Sequence, residues 1–173
     1  MTEILTTVEL SAAPERVWAM LTAFSEYERW HPLLRLEGTA ELGAEIAYSR
    51  RYGLNSPRWL NTEAEIVDCV APSRLEWRIG MPSIFASREI FEIEPIPDGS
   101  LLTHRTRMSG LLGSAVGAIS RSRIRASMEL FDGLLARRFL GGDRGAKASA
   151  VGPNRGNRIQ RRRRSRVERR RAK

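Results

Sequence analysis

Eleven residues, FSEYERWHPLL from Phe24 to Leu34, hold two carboxylates, a tyrosine, an arginine, a tryptophan and one of the chain's two histidines. Carboxylates near a histidine are the raw material of general acid–base chemistry, which needs donor and acceptor within hydrogen-bond reach of the substrate. The second histidine, His104, stands in the alternating run SLLTHRTRMSG. Nucleophilic catalysis would also need a serine or cysteine held against a base. Neither histidine sits beside a Gly-x-Ser-x-Gly turn, and the single cysteine, Cys69, stands in the apolar-rich run EIVDCV without a partner. Cys69 therefore reads as a small buried hydrophobe, and one cysteine excludes an intrachain disulfide. No His-x-x-x-His pair occurs, and GLLGSAVG lacks the lysine of a phosphate-binding loop, so no metal and no cofactor are expected.

The elements that must position these groups follow from periodicity. ILTTVEL alternates as a first strand. SAAPERVWAMLTAF then takes helical spacing through Val17, Leu21 and Phe24, with Ser11 as expected N-cap and Pro14 in the first turn. A second short helix, SEYERW, is stopped by Pro32. Within it Glu26, Glu28 and Arg29 are expected to face solvent. Tyr27 and Trp30, three residues apart, share a face at the sheet edge or cavity entrance, and His31 is expected to be exposed.

About six antiparallel strands follow: LRLEGT, AEIAYSRRY, NTEAEIVDCV, RLEWRIG, IFASREIFEIEPI and SLLTHRTRMSG. Turn chemistry separates them, with APS and PDG the clearest hairpins. From Gly113 to Phe139, Ile119, Ile124, Met128, Phe131, Leu135 and Phe139 recur mainly at helical steps, and glycines end the pattern. The result is an α+β layout in which the long helix is the one element able to cover the apolar face of the sheet. Closing PDG about Asp98 and Gly99 sets His104 opposite Ile93, Thr106 opposite Phe91 and Met108 opposite Glu89, with all of them facing inward. Trp77, near Ser87, shares that face, and Met128, Phe131 and Leu135 meet it from the helix.

Charge divides the chain. Residues 1–142 carry 16 Arg and no Lys against 18 Asp and Glu, a net of −2, while residues 143–173 carry 13 Lys and Arg against two carboxylates, a net of +11. GNRIQRRRRSRVERRRAK has too few apolar residues to offset ordering entropy and reads as disordered. Its arginines, Arg161 to Arg171, offer a salt-sensitive contact to nucleic acid or an anionic membrane, although a solvated tail without a partner is the simpler reading. MTEILTTVEL has neither a basic start nor an apolar run, and no stretch is long and apolar enough for a transmembrane segment, so a cytoplasmic location is expected.

Four segments in order, AAPERVWAMLTAFSEYERWHPLL, APSRLEW, FEIEPIPDGSLLTHR and MSGLLG, make the chain resemble the START-like superfamily known as SRPBCC. Within it, the similarity is to the polyketide cyclase/dehydrase and lipid-transport group. The resemblance spans Thr2 to Phe139. It implies a helix-grip fold: a curved seven-stranded antiparallel sheet wrapped around a long C-terminal helix, with two short helices after the first strand and an apolar cavity between sheet and helix. The chain then divides into a START-like ligand-binding domain, residues 1–140, and the arginine-rich tail, residues 141–173.

On this reading the cavity binds a small apolar or amphipathic molecule of lipid, polyketide or aromatic type. Trp30, Tyr48, Trp77, Ser87, Phe91, His104, Met108, Met128, Phe131 and Leu135 are the expected lining. Trp59 and the loop Met81–Ile84 stand where a mouth could be gated. Two other functions stay open. One is a cyclase/dehydratase-type enzyme with His104 and a carboxylate, Glu89, as general acid and base. The other is a partner-binding module that docks through its basic tail. The residues favour binding over catalysis.

Overall fold

The computed structural model describes residues 1–51, 53 and 56–149, the side chains of 141–149 excepted. Seven strands form one antiparallel sheet: β1 (Thr2–Leu10), β2 (Leu34–Glu37), β3 (Glu45–Arg51), β4 (Trp59–Val70), β5 (Arg74–Met81), β6 (Phe85–Ile96) and β7 (Gly99–Ser109). Their spatial order is β1-β7-β6-β5-β4-β3-β2. The first strand thus closes onto the last, and each other neighbour pair is a sequential hairpin or connection. Between β1 and β2 lie α1 (Pro14–Thr22), a 3-10 turn (Phe24–Glu26) and α2 (Tyr27–Trp30). After β7 come α3 (Gly113–Ile119) and α4 (Arg121–Ser149).

Local chemistry accounts for these boundaries. Proline opens α1, but Ala13 holds the cap position without a side-chain bond, so Ser11 does not cap. Val17 and Leu21, four apart, are the buried face of α1. The stretch expected to run as one helix from Gly113 to Phe139 breaks at Ser120 into α3 and α4, and α4 continues through Gly141–Gly145, the glycines expected to end it, to Ser149. Ile96 pairs with Gly99, so the β6–β7 turn is centred on Pro97 and Asp98, two positions earlier in summed register than the sequence suggests. Glycine is required there: Gly99 has φ +153°, and a Cβ would lie 2.0 Å from the Leu10 carbonyl oxygen.

The shift of two residues preserves which side chains face inward. His104 now pairs with Phe91, Thr106 with Glu89 and Met108 with Ser87. Trp77 pairs with Glu89 and Ile79 with Ser87. A bulge between Ile66 and Asp68 interrupts the β4–β5 ladder, and bulges of this kind bend a sheet. The core lies on the concave face. Leu75, Trp77, Phe91, Ile93 and Leu102 from the sheet pack with Phe131, Leu135 and Phe139 of α4 and with Phe24, Tyr27 and Trp30.

The opposite face carries an ion-pair ladder across five strands. Arg74 bonds Asp68 at 2.7 Å, Glu76 at 3.0 Å and Glu92. Arg105 joins Glu92 to Glu3, Arg107 bonds Glu3 at 2.5 Å, and Arg88 bonds Glu76 at 3.0 Å. The Arg107 and Arg105 guanidinium groups hold the Glu3 carboxyl below its ordinary range, Arg107 foremost. Glu76 is nearly fully buried between two arginines, and Ile90 is buried on this same face, opposite Glu76 and Arg105.

Candidate functional site

The inward faces of β3, β6 and β7 and the N-terminal half of α4 enclose a small chamber. His31, Leu34, Tyr48, Arg50, Glu89, His104, Thr106, Ile124, Ser127, Met128 and Phe131 line it. Its free volume is about 20 Å³, room for a single water molecule. Outside it an open groove of about 560 Å³ runs along Leu33, Arg50, Arg51, Gly53, Arg123, Ala126, Ser127 and Leu130. Arg50 and Ser127 belong to both, so the groove continues the chamber outward.

His104 is the best-defined group. It is 3% exposed, stacks on Phe91 with ring centroids 4.4 Å apart, and lies 5.3 Å from the Phe131 ring. Its Nδ1 is 3.0 Å from Asp132 Oδ1 on α4. Thr6 Oγ1 donates to the other carboxylate oxygen at 2.6 Å. An ionised carboxylate can only accept, so in the neutral ring Nδ1 carries the proton and Nε2 is the acceptor. That Nε2 is buried and makes no hydrogen bond within the protein. Thr6→Val should lower stability by about 1.5–3 kcal/mol, the worth of a hydrogen bond to a charged group. Urea unfolding reads this directly, and a change within error would mean that the hydroxyl contributes nothing to the pair.

The expected partner of His104, Glu89, is taken elsewhere. It sits opposite Thr106, one inward step along β6 from Phe91, and Arg50 Nη1 lies 3.4 Å from its Oε1. Arg50 also donates to Ser127 Oγ at 2.5 Å and to Tyr48 Oη at 3.4 Å. The carboxylate in contact with His104 is Asp132, which the sequence reading missed. Its spacing held the signal: Met128, Asp132 and Leu135 are four and three apart, so Asp132 lies on the buried stripe of α4. Arg50 could have been found the same way, two residues beyond inward Tyr48 on β3.

Of the ten expected lining residues, Tyr48, His104, Met128 and Phe131 reach the chamber. Trp77, Phe91 and Leu135 are fully buried in the core, where they pack rather than line space. Trp30 packs on Phe131 at 5.3 Å and on Tyr27 at 4.8 Å. Met108 meets α3, and Ser87 is half-buried toward the end of the sheet. Trp59 makes cation–π contacts with two guanidinium groups, Arg35 at 4.2 Å and Arg51 at 5.3 Å from its ring, and is not among the residues that line the chamber.

His31 corrects another expectation. It is 4% exposed, its Nδ1 accepts from the Leu33 N–H at 3.2 Å, and it lies 5.5 Å from the Phe131 ring. Pro32 ends α2 and the ring turns inward. Burial foremost, then the positive charge of Arg50 and the nearby His104, push its pKa down to about 4. The exposed ion pair Arg29–Glu26 meets the solvent role expected of that helix. Cys69 is half-buried and donates to the Ala40 carbonyl at 3.0 Å, and burial with Asp68 and Glu41 raises its pKa, which leaves it a quiet thiol. Among the described residues no group of three His, Cys, Asp or Glu is placed to hold a metal, and no helix is long and apolar enough to cross a membrane. The tail arginines Arg161 to Arg171 lie outside the described residues.

A histidine fixed by an acidic residue, inside a curved sheet gripped around its last helix, can be set against known proteins. The family model for polyketide cyclase / dehydrase and lipid transport matches residues 1–142. The chain belongs to this family. No curated protein matches it. Among solved structures, this polyketide cyclase/dehydrase-type chain is similar to a START superfamily protein from Mycobacterium smegmatis, with TM-score 0.63 and 15% identity over 79% of this chain and 96% of that one. A protein from Chromobacterium violaceum gives TM-score 0.66 and 15% identity, covering 80% and 98%. DynU16, a protein in the dynemicin biosynthetic locus, gives TM-score 0.61 and 18% identity, covering 81% of this chain and 48% of that one. At these identities the likeness establishes the START-like fold, and the family membership is consistent with ligand binding.

Proposed function

We propose that the chain binds a small amphipathic molecule, with a polar head in the chamber at His104 and an apolar body along the groove beside Leu33 and Leu130, as a carrier, sensor or binding protein. One observation carries this reading: a buried His104 whose Nε2 has no protein partner and whose other nitrogen is fixed by Asp132. A buried acceptor left unpaired costs roughly 1–3 kcal/mol, and a ligand hydroxyl would offset that cost. The chamber at about 20 Å³ is smaller than any such head, so binding entails outward movement of Arg50, which stands at its border with the groove.

The test uses two aromatic probes of one shape, 2-naphthol and 2-methylnaphthalene. The hydroxyl-bearing probe should bind at least about tenfold tighter, and His104→Phe should erase the difference. Equal affinities, or no binding of either, would remove the reading. Mass spectrometry of extracts from chain purified from its own host then identifies the native ligand class.

The same pair favours a second reading, a cyclase or dehydratase. On this reading Nε2 would take a proton from a bound molecule, Asp132 would stabilise the imidazolium that results, and Arg50 would face charge developing on an oxygen. If the wild-type chain leaves a linear β-polyketide thioester unchanged, catalysis of this kind is excluded. If it turns over, His104→Phe should abolish the reaction.

A further inference from the structure

Helix α3 is inverted with respect to solvent. Gly113 and Gly117 are its buried residues, and a Cβ on Gly117 would lie 2.8 Å from Thr2 Cβ and 3.1 Å from Met108 Sδ. The glycines let the helix lie flush on β1 and β7, and this turns Leu112, Val116 and Ile119, four and three apart, outward. Ile119 is 85% exposed, and Leu111 at the preceding turn is 86% exposed. The β5–β6 turn is tied to the same spot by the Leu112 N–H to Ile84 carbonyl bond at 2.9 Å, and Met81 is 62% exposed beside it. A patch of this kind is costly in water and marks a contact surface.

Its charge identifies the occupant. Arg121, Arg123 and Arg125 follow within six residues of Ile119 and are all exposed, and no carboxylate occurs between Arg107 and Met128. A second copy packed on this face would bring like charges together. Exposed Leu, Ile and Met flanked by arginines match a bilayer interface, where apolar side chains enter the acyl boundary and guanidinium groups meet anionic phosphates. The +11 segment 143–173 adds attraction of the same sign.

We propose that this end of the sheet docks on anionic lipid membranes through Leu111, Leu112, Val116 and Ile119, with Arg121 and Arg123 on the headgroups. Arg123 also lines the groove that leads to the chamber, so docking sets the groove at the bilayer. The proposal stands whatever the chamber holds.

Flotation of the full chain with vesicles tests it. The chain should bind mixed phosphatidylglycerol–phosphatidylcholine vesicles and bind pure phosphatidylcholine weakly. Leu111→Ser with Ile119→Ser should lower the partition coefficient at least about tenfold while leaving the urea midpoint unchanged, since both side chains are exposed. Binding unaffected by the double variant would assign adsorption to the arginine-rich segment and overturn the proposal. So would an absence of vesicle binding, or a dimer in light scattering that the double variant dissolves while vesicles are ignored.

Discussion

Phe131→Ala is expected to lower the unfolding free energy by about 4 kcal/mol and the thermal midpoint by about 10 °C. The ring is 4% exposed and is the hub of the aromatic cluster. Its centroid lies 5.3 Å from those of Trp30, Phe91 and His104, 5.5 Å from His31 and 6.1 Å from Tyr27. Those partners come from the helical segment after β1, from β6 and from β7, so a single truncation removes ring contacts to three separate parts of the fold around the chamber. Relaxation cannot close the gap easily, because the five neighbours are themselves held by strands and by the Tyr27 hydroxyl bond to the Leu21 carbonyl at 2.8 Å. Phe139→Ala, one rim of the same helix, should cost less. Urea denaturation of both variants checks the order, and a loss below about 1 kcal/mol for Phe131 would show that α4 is not held by this ring.

A second large effect should appear on acidification. The His31 pKa is about 4 in the folded chain against an ordinary 6.5. Between those values the unfolded chain binds a proton at this site and the folded chain does not, so stability falls as pH drops from about 6.5 toward 4. Near pH 4.5 the loss from this residue alone amounts to about 2.5 kcal/mol. His31→Asn keeps an acceptor for the Leu33 N–H and cannot titrate. The variant should therefore lose that much less stability than wild type between pH 7 and 4.5. Paired carboxylates such as Glu3 also weaken the fold in acid, but they do so in both proteins and cancel in the difference. Parallel curves for the two proteins would mean that His31 is solvated.

Strand and helix positions were legible because alternation and turn chemistry act locally. PDG, for example, announced its hairpin. The centre of that turn was misplaced by the equivalent of two summed residues, since the tight approach of Gly99 to the Leu10 carbonyl involves β1, a strand 90 residues away. Parity survived the error, which is why His104 was expected to face inward. Its partner was misassigned for a related reason. Glu89 is near His104 on the sheet, but Asp132 reaches it from across the core, and a single sequence does not show how far α4 rotates about its axis. His31 was read as exposed because proline punctuation gives the end of a helix and not the direction of the last side chain. The outward face of α3 followed from two glycines whose role as a packing surface shows only beside Thr2 and Met108.

The pairing of β1 with β7 bears on how the chain is made. Its partners, from Thr2 with Met108 to Leu10 with Ser100, are separated by between 90 and 106 residues. A ribosome emits β1 first and completes β7 only after every intervening strand, so for most of synthesis the first strand has no ladder to join. Ile4 and Leu10 on that strand are buried to 2% in the finished sheet. Bringing β1 to β7 is a closure over some 90 to 106 residues, and contacts of such long range slow folding relative to the sequential hairpins that make up the rest of the sheet.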